Sequence, residues 1–420
     1  MNKSLAYIFK VAALMVFLVL GFRLALRSPL NSVVYNIEVL FILLLAVFFF
    51  YRIATVLIFK KTFTQWEILL CFFLFFPISA SWAAYSEFGQ PFFHGLVHQR
   101  DFYLILSGFY LFYQLRTGRI TLPLLEKAFV SLSWFCLIVF LACSQLINPA
   151  AYLETDFVGY NELKGGYIFR FTVTFISFGF LYYFIAYFRN KKWTNMVYAL
   201  LFFSYLVFFR QDRTIILVVA FTAAVFFFME VFRQNILKYS MLVLLVGGAI
   251  TLLLVGSKTD YFKKFDTMFA IVQGEQTDEA SSNVRLKEMA IAWPLIQKNP
   301  ILGNGELSNQ WHGGYEGRFG YFFPSDIGIV GVIYVAGFLG LLLLNLQFVY
   351  GLVILRKVKE KRYDLFFIVC KYFLMCLFLD SLTAGQTIFY AANSVLVITI
   401  LFAFNRLEKY EGVGTKTAQA

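Results

Sequence analysis

The sequence predicts an all-α polytopic membrane protein. Three observations carry that reading. The chain is 60% hydrophobic, holds 54 phenylalanines, and has only 14% charged residues with a mean hydropathy of +0.73; soluble globular chains are roughly 45–50% apolar. Its apolar residues recur in runs near the ~20 residues that a helix needs to cross a hydrocarbon core about 30 Å thick. Its cysteines, Cys71, Cys136, Cys143, Cys370 and Cys376, all fall inside those runs, as small buried hydrophobes do, and outline no disulfide framework.

The hydropathy pattern gives twelve candidate spans, at roughly 5–24, 33–58, 66–85, 101–115, 124–146, 167–188, 194–209, 213–232, 236–256, 325–352, 364–380 and 386–404. The first carries lysine but no small-residue cleavage site, so it reads as a retained span and not a removed signal peptide. Lysines and arginines gather in short connections: Lys60–Lys61, Arg116 and Arg119, Arg189 with Lys191–Lys192, Arg233 and Lys238, and the run at 356–362. Such residues mark cytoplasmic loops and touch anionic headgroups, which places both termini in the cytoplasm. The net charge of +12 is thereby a topology signal. Basic and aromatic residues do not interleave outside the spans, so no nucleic-acid partner is expected.

The domain order that follows is spans one to nine over 1–256, a long outer loop over 257–324, spans ten to twelve over 325–410, and a tail at 411–420. A loop of that length is usually functional or disordered. This one holds turn residues, Trp293 and Trp311, and a helical pattern, which favours function. Within Val284–Gln297, Leu286, Met289, Ala290, Trp293 and Ile296 recur at helical spacing, with Arg285 and Glu288 on the flanking face and Ser281 or Ser282 able to cap the start. Such a helix would lie flat on the membrane surface. Asn299–Pro300 and Gly303–Asn304–Gly305 then end it in a tight turn.

Several side chains here can carry chemistry. Arg210 and Arg213 flank the turn between spans seven and eight. Either alone fits an interfacial arginine snorkelling to headgroups. With Arg285 and Arg318 on the same side they fit an oxyanion site, because guanidinium makes bidentate, charge-assisted bonds to phosphate oxygens. His312 carries an imidazole that can accept a proton, with Glu306, Glu316 and Asp326 as competing bases. His94 and His98 share a helix face but lack a third ligand, so no metal site is expected. Lys371, Asp380 and Glu38 lie in or at the ends of spans, where charge is costly; Lys371 fits a lysine snorkelling to the inner surface. Gly328, Gly331, Gly337 and Gly340 fit close helix packing.

Taken together, DRT at 212–214, Arg285, AIAWPLIQKNPILGNG at 290–305, His312 and SDIGIVG at 325–331 resemble the O-antigen polymerase and ligase family of membrane proteins. The resemblance covers roughly 205–345. It implies a GT-C-like, metal-independent, inverting glycosyltransferase of the bacterial inner membrane, with no cofactor and a periplasmic active site. The donor it implies is an oligosaccharide on undecaprenyl diphosphate. Polymerases transfer the glycan to the next lipid-linked repeat of an O-antigen or exopolysaccharide; ligases transfer it to lipid A core. A chain-length regulator and a flippase are the implied protein partners. The family's two key arginines map onto Arg213 and Arg285, and the ligase loop histidine onto His312. The distance from His312 to Gly328 is longer than ligases show, and Asp212 stands where serine is common, which favours a polymerase. A flippase or other transporter is the rival class, but the chain lacks paired halves with interrupted helices.

Overall fold

The computed structural model describes residues 3–24, 31–59, 62–152, 158–161, 166–210, 212–231, 280–358, 364–384 and 390–417. The chain opens with α1 (Lys3–Gly21), α2 (Asn31–Ile58), α3 (Gln65–Phe73), α4 (Phe75–Phe88) and α5 (Phe92–His98). Then follow α6 (Leu106–Arg116), α7 (Leu122–Leu146), β1 (Val158–Asn161), β2 (Gly166–Phe169), α8 (Thr174–Asn190), α9 (Trp193–Ser204) and α10 (Arg213–Phe226). The remaining elements are α11 (Ala280–Lys298), α12 (Gly314–Phe319), α13 (Gly328–Lys357), α14 (Leu365–Ala384) and α15 (Ala391–Thr417).

The protein is all-α and polytopic. Seven described stretches are long and apolar enough to cross a membrane: Val33–Ile58, Gln65–Phe88, Leu122–Leu146, Trp193–Arg210, Thr214–Val231, Pro324–Lys357 and Leu365–Leu382. Leu5–Gly21 and Ala391–Asn405 are shorter apolar helices. The count of twelve is not reached among the described residues. The expected span at 236–256 lies outside them, as do Lys60–Lys61, Arg233 and Lys238. The segment expected at 101–115 is a 3-10 turn, Gln99–Ile105, leading into the short α6.

Local chemistry sets the element ends. Thr64 and Glu67 close a capping box on α3: the Glu67 amide donates to Thr64 Oγ1 at 3.2 Å, and the Thr64 amide donates to Glu67 Oε2 at 2.8 Å. That pairing satisfies two of the amides a helix start leaves open. Gly89 ends α4 with φ +78°, a conformation that costs glycine little. β1 and β2 pair antiparallel, with Val158 opposite Phe169 and Asn161 opposite Gly166. The hairpin therefore overlaps the start of the span expected at 167–188, whose helix, α8, begins only at Thr174.

The core is aromatic. Phe129 packs its ring against Phe22 (5.9 Å between centroids), Phe175 (5.2 Å), Phe178 (5.0 Å) and Phe366 (5.7 Å), tying α1, α7, α8 and α14 together. Offset and edge-on pairs add about 0.5–1.5 kcal/mol each beyond area burial. Many outward residues of the spans are apolar, as α2 shows with Val47 and Phe50 exposed; lipid is their natural solvent.

Charges inside the bundle are paired. Glu38 meets Arg23 at 3.6 Å, and Arg23 reaches Asp101 at 2.6 Å. Lys371 does not simply snorkel to the surface: its Nζ donates to Glu230 Oε1 at 2.7 Å, and the Tyr372 hydroxyl donates to the same oxygen at 3.1 Å. Glu230 sits in a π-helical turn, Phe227–Val231, that continues α10. A membrane-embedded cation without such a partner costs several kcal/mol.

Candidate functional site

The long span α13 is broken at Gly337, whose φ of 66° and ψ of −177° are not helical. A break frees backbone groups that lipid cannot satisfy. The segment after α11 supplies the partners. The amides of Asn304 and Gly305 donate to the carbonyls of Tyr334 (2.8 Å) and Val335 (3.0 Å); the amides of Phe338 and Leu339 donate to the carbonyls of Pro300 (2.8 Å) and Ile301 (3.2 Å). Asn304 Nδ2 adds a bond to the Tyr334 carbonyl at 3.2 Å. Asn299 Nδ2 donates to Asn304 Oδ1 and to Glu87 Oε2, each at 2.9 Å. The Asn-Pro and Gly-x-Gly motifs thus form a strap seated in the broken span, not a free surface turn. Gly331 serves the same face, since a Cβ there would collide with the Pro324 carbonyl. Of the four glycines expected to permit helix packing, Gly337 and Gly331 instead admit loop backbone.

α11 confirms a helix in the long loop but rolls it. Ser281 and Ser282 lie within the helix, so neither is its cap. The buried face runs through Glu288, Ala292 and Ile296, while Trp293 is exposed. α11 packs on α13 and on the turn Pro324–Ile327, and that contact, not the largest apolar side chains, sets its roll. Glu288, expected on the flank, is therefore fully buried. Its Oε1 accepts the Phe323 amide at 2.9 Å, and its Oε2 has no hydrogen-bond partner. Burial pushes this carboxyl up to about 7; the Phe323 amide and Arg285 oppose the rise and Asp326 adds to it.

Around Glu288 the structure assembles a charged cluster. Arg285 and Asp326 are exposed and close enough for their charges to act on Glu288. The Tyr321 phenol, raised chiefly by its own burial, feels Asp326, Glu288, Arg170 and Arg285. Arg170 follows β2 and lies against Gly159 of β1, leaving no room for a Cβ there. The sequence offered no periodicity or motif for Arg170, and its place became visible only through the hairpin.

The turn before α10 lies beside these elements. β2 packs on the π-helical turn Tyr205–Arg210, and Pro324–Ile327 packs on α14. Arg210 Nη2 pairs with Asp212 Oδ2 at 3.4 Å, and Asp212 caps α10 by accepting the Ile215 amide, also at 3.4 Å. Asp212 is near enough to Asp380 at the end of α14 for the two charges to interact. Arg213 opens α10; its side chain lies outside the described atoms.

The other expected residues separate from this cluster. Arg318 lies over the Phe88 ring at 4.8 Å. His312 is exposed, sits in left-handed backbone with φ 52°, and packs edge-on to Trp311 at 4.9 Å. Glu306 faces His98, Nε2 to Oε1 at 3.7 Å. Burial, with Asp101 adding to it, pushes Glu306 up to about 8, and burial pulls His98 below its ordinary value, with Arg100 also lowering it and Asp101 opposing. Among the described residues no three His, Cys, Asp or Glu side chains converge as a metal site would require.

The strap, with Arg285, Glu288 and Asp326, falls in the part of the chain that a family model matches. The family model described as O-antigen ligase matches residues 197–344. No curated protein matches the chain. The matched stretch begins in α9, contains DRT at 212–214, and takes in Arg285, Glu288, the strap, His312 and Asp326 before ending in α13. The chain's resemblance to the O-antigen polymerase and ligase family is therefore shown, carried by residues 197–344.

Proposed function

We propose that the protein is a polysaccharide polymerase. On this reading it transfers a growing glycan from undecaprenyl diphosphate to the next lipid-linked repeat unit at the periplasmic face of the inner membrane. The observation that supports this most is the cluster of Arg285 and Asp326 around buried Glu288, inside the stretch similar to O-antigen ligases.

A sugar diphosphate carries its own leaving group, so catalysis needs charge stabilisation and removal of one proton. Arg285 and Arg213 hold the diphosphate; Arg210 is paired with Asp212 and Arg318 lies over Phe88, apart from the cluster, so neither is assigned to it. Donors fixed in this way lower a barrier by about 3–4 kcal/mol each. The acceptor hydroxyl oxygen attacks the anomeric carbon. The bond from that carbon to the diphosphate oxygen breaks, its electron pair stays on the diphosphate, and the configuration inverts once. Asp326 takes the hydroxyl proton: of the expected bases it alone shares the Arg285 cluster, whereas Glu306 faces His98 and His312 and Glu316 lie beside and in α12. Glu288 positions the segment, anchoring Phe323 three residues before Asp326. The reaction needs no metal.

The second reading is an O-antigen ligase that delivers the glycan to lipid A core, favoured by the description of the matching family. The surface glycans of a strain lacking the protein separate the two. Single repeats on lipid A core, or loss of a polymer that has no lipid A link, match the polymerase. Long polymer stranded on the polyprenyl carrier matches the ligase. An unchanged profile rejects both.

A further inference from the structure

Beyond the strap, Ser308, Asn309 and Gln310 line one wall of a cavity of about 280 Å3; Tyr35 of α2, Val97 and His98 of α5 and Arg100 of the 3-10 turn that follows line the other. The walls are held in place by specific bonds. Gln90 Nε2 donates to the Glu306 carbonyl at 3.1 Å while its Oε1 accepts the Ser308 amide at 2.7 Å. The Gln310 amide donates to Ser308 Oγ at 3.3 Å. Across the gap the Arg100 guanidinium lies over the Tyr35 ring at 4.2 Å, giving one wall a flat face.

The chemistry of these walls selects a ligand class. Asn309 and Gln310 are exposed and offer amide donors and acceptors together, and the stacked Tyr35–Arg100 pair offers a plane. Among the described residues Arg100 is the one arginine or lysine of the lining, and Asp101 stands 3.7 Å from its Nε, so the described lining does not suit a diphosphate. An apolar ligand would strand the amides, at a cost. A pyranose meets both, with hydroxyls for the amides and a C–H face for the plane. The volume, about 280 Å3, lies just below the roughly 300–1,000 Å3 of drug-sized ligand cavities, and suits one ring. One wall belongs to the matched stretch 197–344 and the other does not, so the N-terminal helices complete a site on the family-like loop.

We infer that this cavity binds one uncharged sugar residue of the glycan substrate, apart from the diphosphate site. The inference rests on the glycosyl-transfer reading for its substrate. The probe is the free oligosaccharide released from the host's own lipid-linked repeat unit, bound to the purified full chain in detergent by equilibrium dialysis. Gln310→Ala removes an amide and Gln310→Trp fills the space; each should weaken binding about tenfold with thermal unfolding unchanged, and inorganic diphosphate should not displace the oligosaccharide. Parent protein that fails to bind, variants that bind as the parent does, or displacement by diphosphate would overturn the inference. Binding is read without transfer. A chain that binds through Gln310 yet lengthens no glycan keeps the cavity and removes the polymerase; lengthening with no Gln310 dependence does the reverse.

Discussion

Gly303 and Gly337 meet backbone to backbone: a Cβ built on Gly303 would lie 2.5 Å from the Gly337 nitrogen, and one on Gly337 would run into the Ile301 carbonyl. Both glycines hold positive φ, 74° and 66°. The strap and the broken span are therefore one unit, with each satisfying the other's backbone. Gly337→Ala is expected to destabilise the protein by about 2–4 kcal/mol through strain and displacement of the strap. Gly118, also at positive φ but with open space around it, should cost only about 1 kcal/mol as Gly118→Ala. Thermal unfolding in detergent distinguishes the two.

Glu288 makes stability depend on pH. Its folded value near 7 lies above the ordinary carboxylate value of 4.5, so the folded state keeps a proton that the unfolded state has lost. Stability is highest below the unfolded value, falls as pH rises from about 4.5 to about 7, and is flat above. The fall should be about 1–3 kcal/mol, and Glu288→Gln should flatten it. Denaturant unfolding between pH 4.5 and 8 measures this; an unchanged slope in the variant would reject the assignment.

The all-α membrane architecture, seven of its long apolar spans and the α11 helix were legible in the sequence because long apolar runs and Gly, Pro and Asn punctuation act locally. What was not legible depends on contacts between distant segments. Gly337 reads as one more packing glycine until residues 300–305 are seated against it. Glu288 reads as a flank residue because the large side chain Trp293 suggests a buried face that Ala292 and Ile296 occupy instead. Glu306 looked like a base of the arginine site, but Gln90 and His98 draw it toward the N-terminal helices. Lys371 could not reveal Glu230, 141 residues away.

The Lys371–Glu230 pair should be worth most when one partner is missing. Glu230→Ala is expected to cost about 2–3 kcal/mol, because it leaves a cation within the span. The double variant Glu230→Ala with Lys371→Leu should recover most of that loss. A double-mutant cycle on thermal stability checks the coupling; simple additivity would mean the two charges do not depend on each other.

Among the proposed bases, Asp326→Asn should lower kcat by about 10²–10⁴-fold with little change in the KM of the donor. His312→Ala and Glu306→Gln should each retain most of the parent rate. Steady-state kinetics on lipid-linked substrate read this directly, and a larger loss in His312→Ala than in Asp326→Asn would move the base to the histidine.

Arg285, as the proposed holder of a polyprenyl-diphosphate donor, is the residue on which transfer should depend most. Purified protein in detergent, given lipid-linked repeat units and no gradient, tests it when products are resolved by length. A ladder rising one repeat at a time, lost by at least about 100-fold in folded Arg285→Ala, is the predicted result. No lengthening by the folded parent protein, or an equal ladder from Arg285→Ala, would contradict it.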